Sequence, residues 1–252
     1  ISFASLSDVN KVTPEVVRNA IKNLNPGKSD PTFSFSSDCL SNAPVILSEH
    51  LSCIIKAFLF PGHVSMILLL STLVPLIKDK LGDKCSSKNY HSIAISSLLL
   101  KVIDWIVIIL FGVTLGLDDL QFSYQSQCST SMCSWMVLET VGYFLRNGSE
   151  VFTCFMDMTK AFDLVQHSKL FRKLIDAGLP TMFTRLLLVS YLFQYANVGW
   201  NNELSRSFSL TNGAKQGAVL SAILYCFYVN GLFKLLRKRK TGCWIQGTYH
   251  GI

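Results

Sequence analysis

The sequence has little charge, no Cys-x-x-Cys pair and no uninterrupted hydrophobic run as long as a membrane span. Only 15% of its 252 residues are Asp, Glu, Lys or Arg and 50% are hydrophobic, which is an apolar composition for a soluble protein. Two apolar runs stand out: residues 64–77, broken by Pro75, and residues 102–117, with Asp104 near the start. Both are shorter than the ~20 residues that cross a bilayer, and an acid is costly in hydrocarbon. We therefore expect buried helices, in one large domain or two small ones, and no membrane partner.

The eight cysteines include no Cys-x-x-Cys pair, and only Cys128 and Cys133 are close in sequence. No zinc site is predicted, and reduced thiols in a cytoplasmic or nuclear protein are expected. A phosphate-binding P-loop is rejected at Gly27, because the first glycine of the motif is absent: positions 22 and 23 are Lys and Asn. The start has no methionine and no signal-peptide pattern, so we expect a fragment of a longer product.

Positive charge is in excess. The 23 Lys and Arg residues outnumber the 16 Asp and Glu residues and give a formal charge of +7. Such a balance suits a polyanionic partner, but a charge of this size is common and identifies none by itself. Any nucleic-acid binding would weaken as salt rises.

The pattern of apolar residues predicts a helix-rich chain with few strands. An amphipathic helix is predicted from Thr13, a plausible cap, to Leu24. Further helices are predicted at 44–60, 64–70, 96–113, 129–146, around 170–175, at 181–194 and at 216–238. Strands are predicted at 72–77, 89–95 and 151–156, and a hairpin is predicted to turn at Asn201-Asn202.

The most informative segment runs from residue 151 to Asp163. Six mostly apolar residues lead to Asp157, and an aromatic residue, Phe162, follows five positions later. A buried strand that delivers a carboxylate at its C-terminal end suits a hard divalent cation such as Mg²⁺. Taken alone, the segment is better interpreted as a strand that ends in a turn.

Three more blocks change that interpretation. Upstream lie Leu73-Val74-Pro75-Leu76-Ile77-Lys78 and Asn89-Tyr90-His91-Ser92-Ile93, and downstream lies Asn212-Gly213-Ala214-Lys215-Gln216-Gly217. In this order and at these separations, the four blocks resemble the reverse transcriptases of non-LTR (LINE-type) retrotransposons. The resemblance covers nearly the whole chain and implies an α+β fold, namely the fingers and an incomplete palm of a right-hand polymerase with a small antiparallel sheet. It divides the chain into an N-terminal helical extension (1–60), fingers (61–150) and a partial palm (151–252).

The resemblance also implies residue roles. Asp157 corresponds to the first of three catalytic carboxylates that hold two Mg²⁺ ions, and the backbone carbonyl of Met158 joins that coordination. Phe162 corresponds to the aromatic residue that excludes a 2′-hydroxyl and so favours deoxynucleotides. The remaining nucleotide-binding positions are Lys78 and His91 in the fingers and Gln216 and Gly217 at the start of a palm helix. For Lys78, a solvated turn is the alternative interpretation.

Departures from the family pattern put parts of this assignment in question. The family has Asn-Tyr-Arg-Pro-Ile where this chain has His91 and Ser92, and histidine lacks the bidentate fork with which arginine holds phosphate. Phe122-Ser123-Tyr124 replaces Phe-Gly-Phe, and Ser221-Ala222 replaces Ser-Pro. The Tyr-Ala-Asp-Asp hairpin that supplies the other two carboxylates is expected just after Ile252.

The expected function is therefore a fragment of an RNA-directed DNA polymerase that is inactive as the chain stands, because one carboxylate cannot hold two metal ions. The alternative is a non-catalytic nucleic-acid-binding remnant of such a domain. The implied partners are an RNA template, a DNA primer and a deoxynucleoside triphosphate, and a fused endonuclease domain is compatible with the parent protein.

Overall fold

The computed structural model describes residues 6–214, 217–240, 242–245 and 248–251. The chain divides into two compact units: residues 1–115 with 162–224, and residues 116–161 with 225–252. Helix α10 (Val219–Lys238) begins in the first unit and continues through the second.

The first unit consists of short helices around a small sheet. Its helices are α1 (Leu6–Asn10), α2 (Pro14–Lys22), α3 (Ser37–Ser41), α4 (Val45–Leu59), α5 (Met66–Leu69), α6 (Leu98–Phe111), α8 (His167–Asp176) and α9 (Thr181–Leu192). Its strands are β1 (Leu70–Ile77), β2 (Tyr90–Ser96), β3 (Gln194–Trp200), β4 (Glu203–Leu204) and β5 (Phe208–Leu210). The second unit contains α7 (Thr130–Arg146), β6 (Cys243–Ile245) and β7 (Thr248–Gly251).

The sheet of the first unit has the order β2-β1-β3-β4, with β5 also paired to β3. β1 and β2 form an antiparallel hairpin, whereas β1 and β3 run parallel. The predicted α+β class is confirmed, and the sheet is mixed rather than wholly antiparallel. A parallel pair requires a long crossover, which the chain between β1 and β3 supplies with several helices.

Local sequence signals account for several of these elements. Thr13 caps α2 by accepting a hydrogen bond from the Val16 amide at 3.3 Å. Asn201 and Asn202 adopt φ values of 48° and 64° at the turn between β3 and β4. Two consecutive left-handed residues match the twist of a two-residue hairpin, which is why asparagine suits both positions. The helix and hairpin predictions here are confirmed.

The core of the first unit lies where α2, α4, α6 and α9 meet. Phe111 of α6 and Phe183 of α9 pack edge to face with ring centroids 4.7 Å apart. A buried carboxylate, Asp30, accepts hydrogen bonds from the Ser97 hydroxyl at 3.0 Å and the Leu98 amide at 2.7 Å. The second bond satisfies one otherwise unpaired amide at the start of α6, and the two bonds together fix the loop before α3 to that helix.

The predicted strand at 151–156 is wrong. Residues 151–158 have no regular secondary structure, and Phe152 and Phe155 are 92% and 85% exposed. A strand needs a hydrogen-bonded neighbour, and none of the strand pairs in the described part of the chain includes this segment. These apolar, β-prone residues therefore form no strand in the described structure.

By length and composition, α10 is the one described helix that could cross a membrane, with a mean hydropathy of 1.7. The core helix of a soluble protein has the same properties, so this observation is weak. Neither of the two apolar runs singled out above forms such a helix in the described residues.

Candidate functional site

The β1–β2 hairpin places two of the predicted nucleotide-binding residues close together. His91 pairs with Leu76 across the hairpin, and the Lys78 amide donates to the Asn89 carbonyl at 2.9 Å. Lys78 lies two residues beyond Leu76, so alternation along the strand puts Lys78 and His91 on one face. Both side chains are exposed, as phosphate ligands at the mouth of a site would be.

The end of the hairpin is held by Asn89. Its side chain accepts from the Asp79 amide at 3.0 Å and donates to the Asp79 carbonyl at 2.9 Å. The Lys78 ammonium donates to the Lys88 carbonyl at 3.2 Å. These bonds fix the backbone of Lys78, while its side chain stays exposed to solvent.

A second cluster joins the segment after Phe162 to the turn at 212–214. The Ala214 amide donates to the Phe162 carbonyl at 2.9 Å, and the Gly213 amide donates to the Val165 carbonyl at 3.1 Å. The ring of His167 supplies a third link, because its Nε2 lies 2.8 Å from the Gly213 carbonyl oxygen. A carbonyl can only accept, so Nε2 carries the proton.

Gly213 is required by this junction. Its φ is +88°, and a Cβ there would lie 3.0 Å from the Phe162 carbonyl oxygen and 3.0 Å from Asp163 Cα. Both the left-handed backbone and the close approach exclude a larger residue. The half-buried Phe162 is therefore fixed beside the block that resembles the start of the palm helix.

Gly217, a few residues after the 212–214 turn, packs against strand β2 of the β1–β2 hairpin. Its φ is +101°, and a Cβ would lie 2.8 Å from the Ala94 carbonyl oxygen of β2. The sequence prediction gave this glycine a close approach to substrate, and the structure shows a close approach to backbone. Gln216 and Lys215 lie outside the described residues, so the predicted role of Gln216 stays a prediction.

The start of α10 is anchored by polar groups from α6 and α9. The Leu220 amide donates to the Asp104 carboxylate at 3.3 Å, which satisfies an amide at the helix N-terminus. The Tyr191 hydroxyl lies 3.2 Å from the Ser221 hydroxyl, and burial raises the pKa of Tyr191 while the bond to Ser221 opposes that rise. These contacts position the helix that follows Gly217.

A cavity of about 350 Å³ opens between the sheet and the 209–214 segment. Its lining includes Leu73, Ser92, Ala94, Asp163 and the buried Gln194. This volume lies at the lower end of the range for small-molecule sites, and the lining residues are a mixture of apolar and polar types. The cavity thus lies between the β1–β2 hairpin and the residue that follows Phe162.

Asp157 and Met158 belong to the second unit and are exposed. No group of three His, Cys, Asp or Glu residues that could hold a metal ion occurs in the described ranges. Asp157 supplies a single carboxylate, so the described residues do not complete a two-metal site. The assignment of Asp157 and Met158 to metal binding stays a prediction.

Sequence reasoning missed three residues that build this region: Asp104, His167 and Gly213. Two of them left a signal. An acid inside an apolar run must find a partner, as Asp104 does, and Asn212-Gly213 is a dipeptide typical of left-handed backbone. His167 gave no signal of its own, because its partner lies 46 residues away.

The order of the blocks along the chain agrees with the match of this sequence to a known family. The sequence model of the family described as reverse transcriptase (RNA-dependent DNA polymerase) matches residues 78–249, which is more than half of the chain. The matched range contains every predicted site residue, with Lys78 at its first position. The chain belongs to the reverse transcriptase (RNA-dependent DNA polymerase) family.

Proposed function

We propose that this chain is the reverse transcriptase domain of a non-LTR, LINE-type retrotransposon, acting on an RNA template, a DNA primer and deoxynucleoside triphosphates. The observation that carries the proposal is the junction of Phe162 with the 212–214 turn, next to the Lys78–His91 hairpin in the same compact unit. These are the blocks whose spacing resembles that subgroup.

In this proposal Lys78 contacts the triphosphate and Phe162 lies against the sugar. A lysine ammonium is adequate as a point charge for phosphate, and the exposed Lys78 side chain can exchange its hydrogen bond to the Lys88 carbonyl for one to a ligand. An aromatic ring fixed by backbone hydrogen bonds discriminates against a 2′-hydroxyl by occupying its space. His91 occupies the position of the phosphate-clamping arginine, so triphosphate binding is weaker than in relatives that keep the arginine.

We further propose that the 252 residues by themselves bind substrates without adding nucleotides. Asp157 is the one catalytic carboxylate that the resemblance assigns within residues 1–252, and two-metal catalysis needs ligands on both ions. Mg²⁺ is the ion that an all-oxygen site would favour. A cytoplasmic or nuclear location fits the cysteine usage, and the non-catalytic binding remnant is the second candidate, favoured by the substitution at His91.

Nucleotide binding tests the site directly. The 252-residue chain is mixed with poly(rA)·oligo(dT) and titrated with dTTP or UTP, and bound nucleotide is measured by ultraviolet cross-linking. Lys78→Ala should weaken dTTP binding about tenfold, because a charge-assisted phosphate contact is lost. Lys88→Ala on the same hairpin is the matched control and should change it less than twofold. Equal effects of the two substitutions would refute the assignment of Lys78.

Sugar selection is tested by Phe162→Ala. We expect the preference for dTTP over UTP to fall, while the exposed Phe152→Ala leaves it unchanged.

His91→Arg should tighten dTTP binding by restoring a bidentate contact. If dTTP affinity is the same in the His91→Arg variant, the hairpin does not face the triphosphate.

Catalysis is tested by primer extension with Mg²⁺ and with a chelator. The 252-residue chain should give no extension, and a version supplied with a Tyr-Ala-Asp-Asp hairpin after Ile252 should extend the primer. Asp157→Ala in that version should abolish extension, because the two-metal site loses a ligand. Extension within tenfold of the parent would show that Asp157 is not catalytic. Salt-sensitive RNA binding without extension by either version would favour the non-catalytic remnant.

A further inference from the structure

The second unit concentrates its positive charge at one place. Five of its seven Lys and Arg residues lie between positions 234 and 240, and residues 225–252 contain no Asp or Glu. We name these five the basic end of α10: Lys234, Arg237, Lys238, Arg239 and Lys240. A helix C-terminus is stabilised by cations in its last turn, but this run continues two residues beyond Lys238, where α10 ends. Interaction with the helix dipole therefore accounts for only part of this positive charge.

The basic end rests on a fixed support. Arg237 forms an ion pair with Asp118 at 2.6 Å, and the Asp118 side chain is only 9% exposed. Asn230, inside the apolar part of α10, accepts from the Asp118 amide at 2.9 Å and donates to the Gly116 carbonyl at 3.2 Å. These three bonds tie the 116–118 loop to α10, so the cations project from a braced element.

Most of this charge is available to a ligand. Lys234, Lys238 and Arg239 are exposed and have no ion pair within the described ranges. Lys234 and Lys238 are four residues apart and lie on one helix face. Asp118 therefore neutralises one of five cations and leaves a surface that attracts anions.

An aromatic side chain completes the surface. Lys240 has a left-handed φ of 51°, and its ammonium lies 5.5 Å from the centroid of the Trp244 ring on β6. Trp244 is 45% exposed. Cations beside an exposed indole match how single-stranded nucleic acid is held, with phosphates on the cations and a base stacked on the ring.

We propose that the basic end of α10 and Trp244 bind single-stranded nucleic acid, such as the template strand of the proposed reaction. The inference rests on the proposed function but uses a different surface from the Lys78–Phe162 region. An anionic membrane is the competing partner, because α10 is apolar enough to span one. Nucleic acid is favoured because Asn230, in the middle of α10, is hydrogen-bonded to a protein loop rather than facing lipid.

The test measures binding of a fluorescein-labelled 20-nucleotide oligo(U) to the 252-residue chain by anisotropy, from 50 to 300 mM NaCl. Lys238→Gln with Arg239→Gln should weaken binding about tenfold at 0.1 M salt and reduce the salt slope by about 1.4, the value for two lost single-strand phosphate contacts. Arg237 is kept so that its ion pair with Asp118 survives. Arg18→Gln with Lys22→Gln on α2 removes the same charges from the first unit and should leave both quantities unchanged.

Trp244→Ala should weaken oligo(U) binding about fivefold or more with the salt slope retained, because stacking is lost and no charge is removed. Equal losses from the α10 and α2 double variants would overturn the proposal, since only net charge would matter. The proposal would also be overturned if the α10 double variant bound oligo(U) normally but lost binding to 70:30 phosphatidylcholine–phosphatidylserine vesicles. That result would identify a membrane-binding surface. Circular dichroism of each variant confirms that the fold is retained.

The two proposals fail in different ways. If the α10 double variant binds oligo(U) normally but Lys78→Ala still lowers dTTP cross-linking, this inference is wrong and the proposed function stands. If Lys78→Ala has no effect while the α10 double variant loses oligo(U), the surface is real and the nucleotide site is wrong. Absence of binding to any nucleic acid refutes both.

Discussion

The contact between Gly217 and β2 makes the sharpest stability prediction. Gly217→Ala places a Cβ 2.8 Å from the Ala94 carbonyl oxygen, closer than the 3.0 Å limit that real Cβ atoms observe. Ala94 pairs with Leu73 of β1, so β2 cannot retreat without weakening the hairpin that carries Lys78 and His91. The strain must therefore be taken by the backbone of Gly217 or by the sheet.

A matched substitution separates this contact from backbone strain. Gly178 has φ +85° and would meet nothing within 4 Å, and it lies in the same compact unit. A left-handed alanine costs ~1–2 kcal/mol, offset by ~0.4–1 kcal/mol from the reduced entropy of the unfolded chain. Gly178→Ala should thus cost about 1 kcal/mol of unfolding free energy. Overpacking adds about 1–3 kcal/mol at Gly217, so Gly217→Ala should cost about 2–4 kcal/mol.

The assay is urea unfolding of both variants and the parent, followed by circular dichroism and tryptophan fluorescence. The comparison uses the transition of the first unit, because both glycines belong to it. Gly217→Ala should also weaken dTTP cross-linking, while Gly178→Ala should not. If the two variants lose the same stability within ~0.5 kcal/mol, the spread that independent sites ordinarily show, then Gly217 does not lie against β2 and the reasoning fails.

Two further predictions concern the polar groups that anchor the start of α10. Asp104→Ala should lower the free energy of unfolding in urea by about 1 kcal/mol, because the Leu220 amide loses its cap. Asp104→Asn should lose less, because an amide oxygen still accepts the bond. Equal losses from the two variants would exclude capping. Burial raises the pKa of Tyr191 above its ordinary value near 10, so the native chain keeps a proton that the unfolded chain releases. The contribution of this group to the free energy of unfolding is present below pH 10 and falls as pH rises above it. Tyr191→Phe should remove that part of the decline. Identical slopes of unfolding free energy against pH for parent and variant would contradict the assignment.

The helices and turns followed from sequence because their causes are local. Thr13 and Pro14 begin α2, the Asn201-Asn202 pair turns β3 into β4, and both signals act over a few residues. The order of the four blocks likewise identified the family, since it depends on residue types and separations along the chain. The residue roles within those blocks remain predictions.

The segment before Asp157 shows where such reasoning stops. Its residues favour a strand, but a strand forms only against a neighbour, and in the described part of the chain β1 pairs with β2 and β3 instead. The local sequence of a segment does not indicate which other segments will lie beside it and pair with it.

The sequence by itself determined the helix-rich α+β class, the hairpin with Lys78 and His91, and the family. Only the tertiary structure decided that Gly213 and Gly217 contact backbone, that His167 and Asp104 anchor the 212–220 region, and that β1 and β3 run parallel. The physical reason is range: propensity, capping and turn chemistry act between near neighbours, whereas these contacts join residues that only packing brings together.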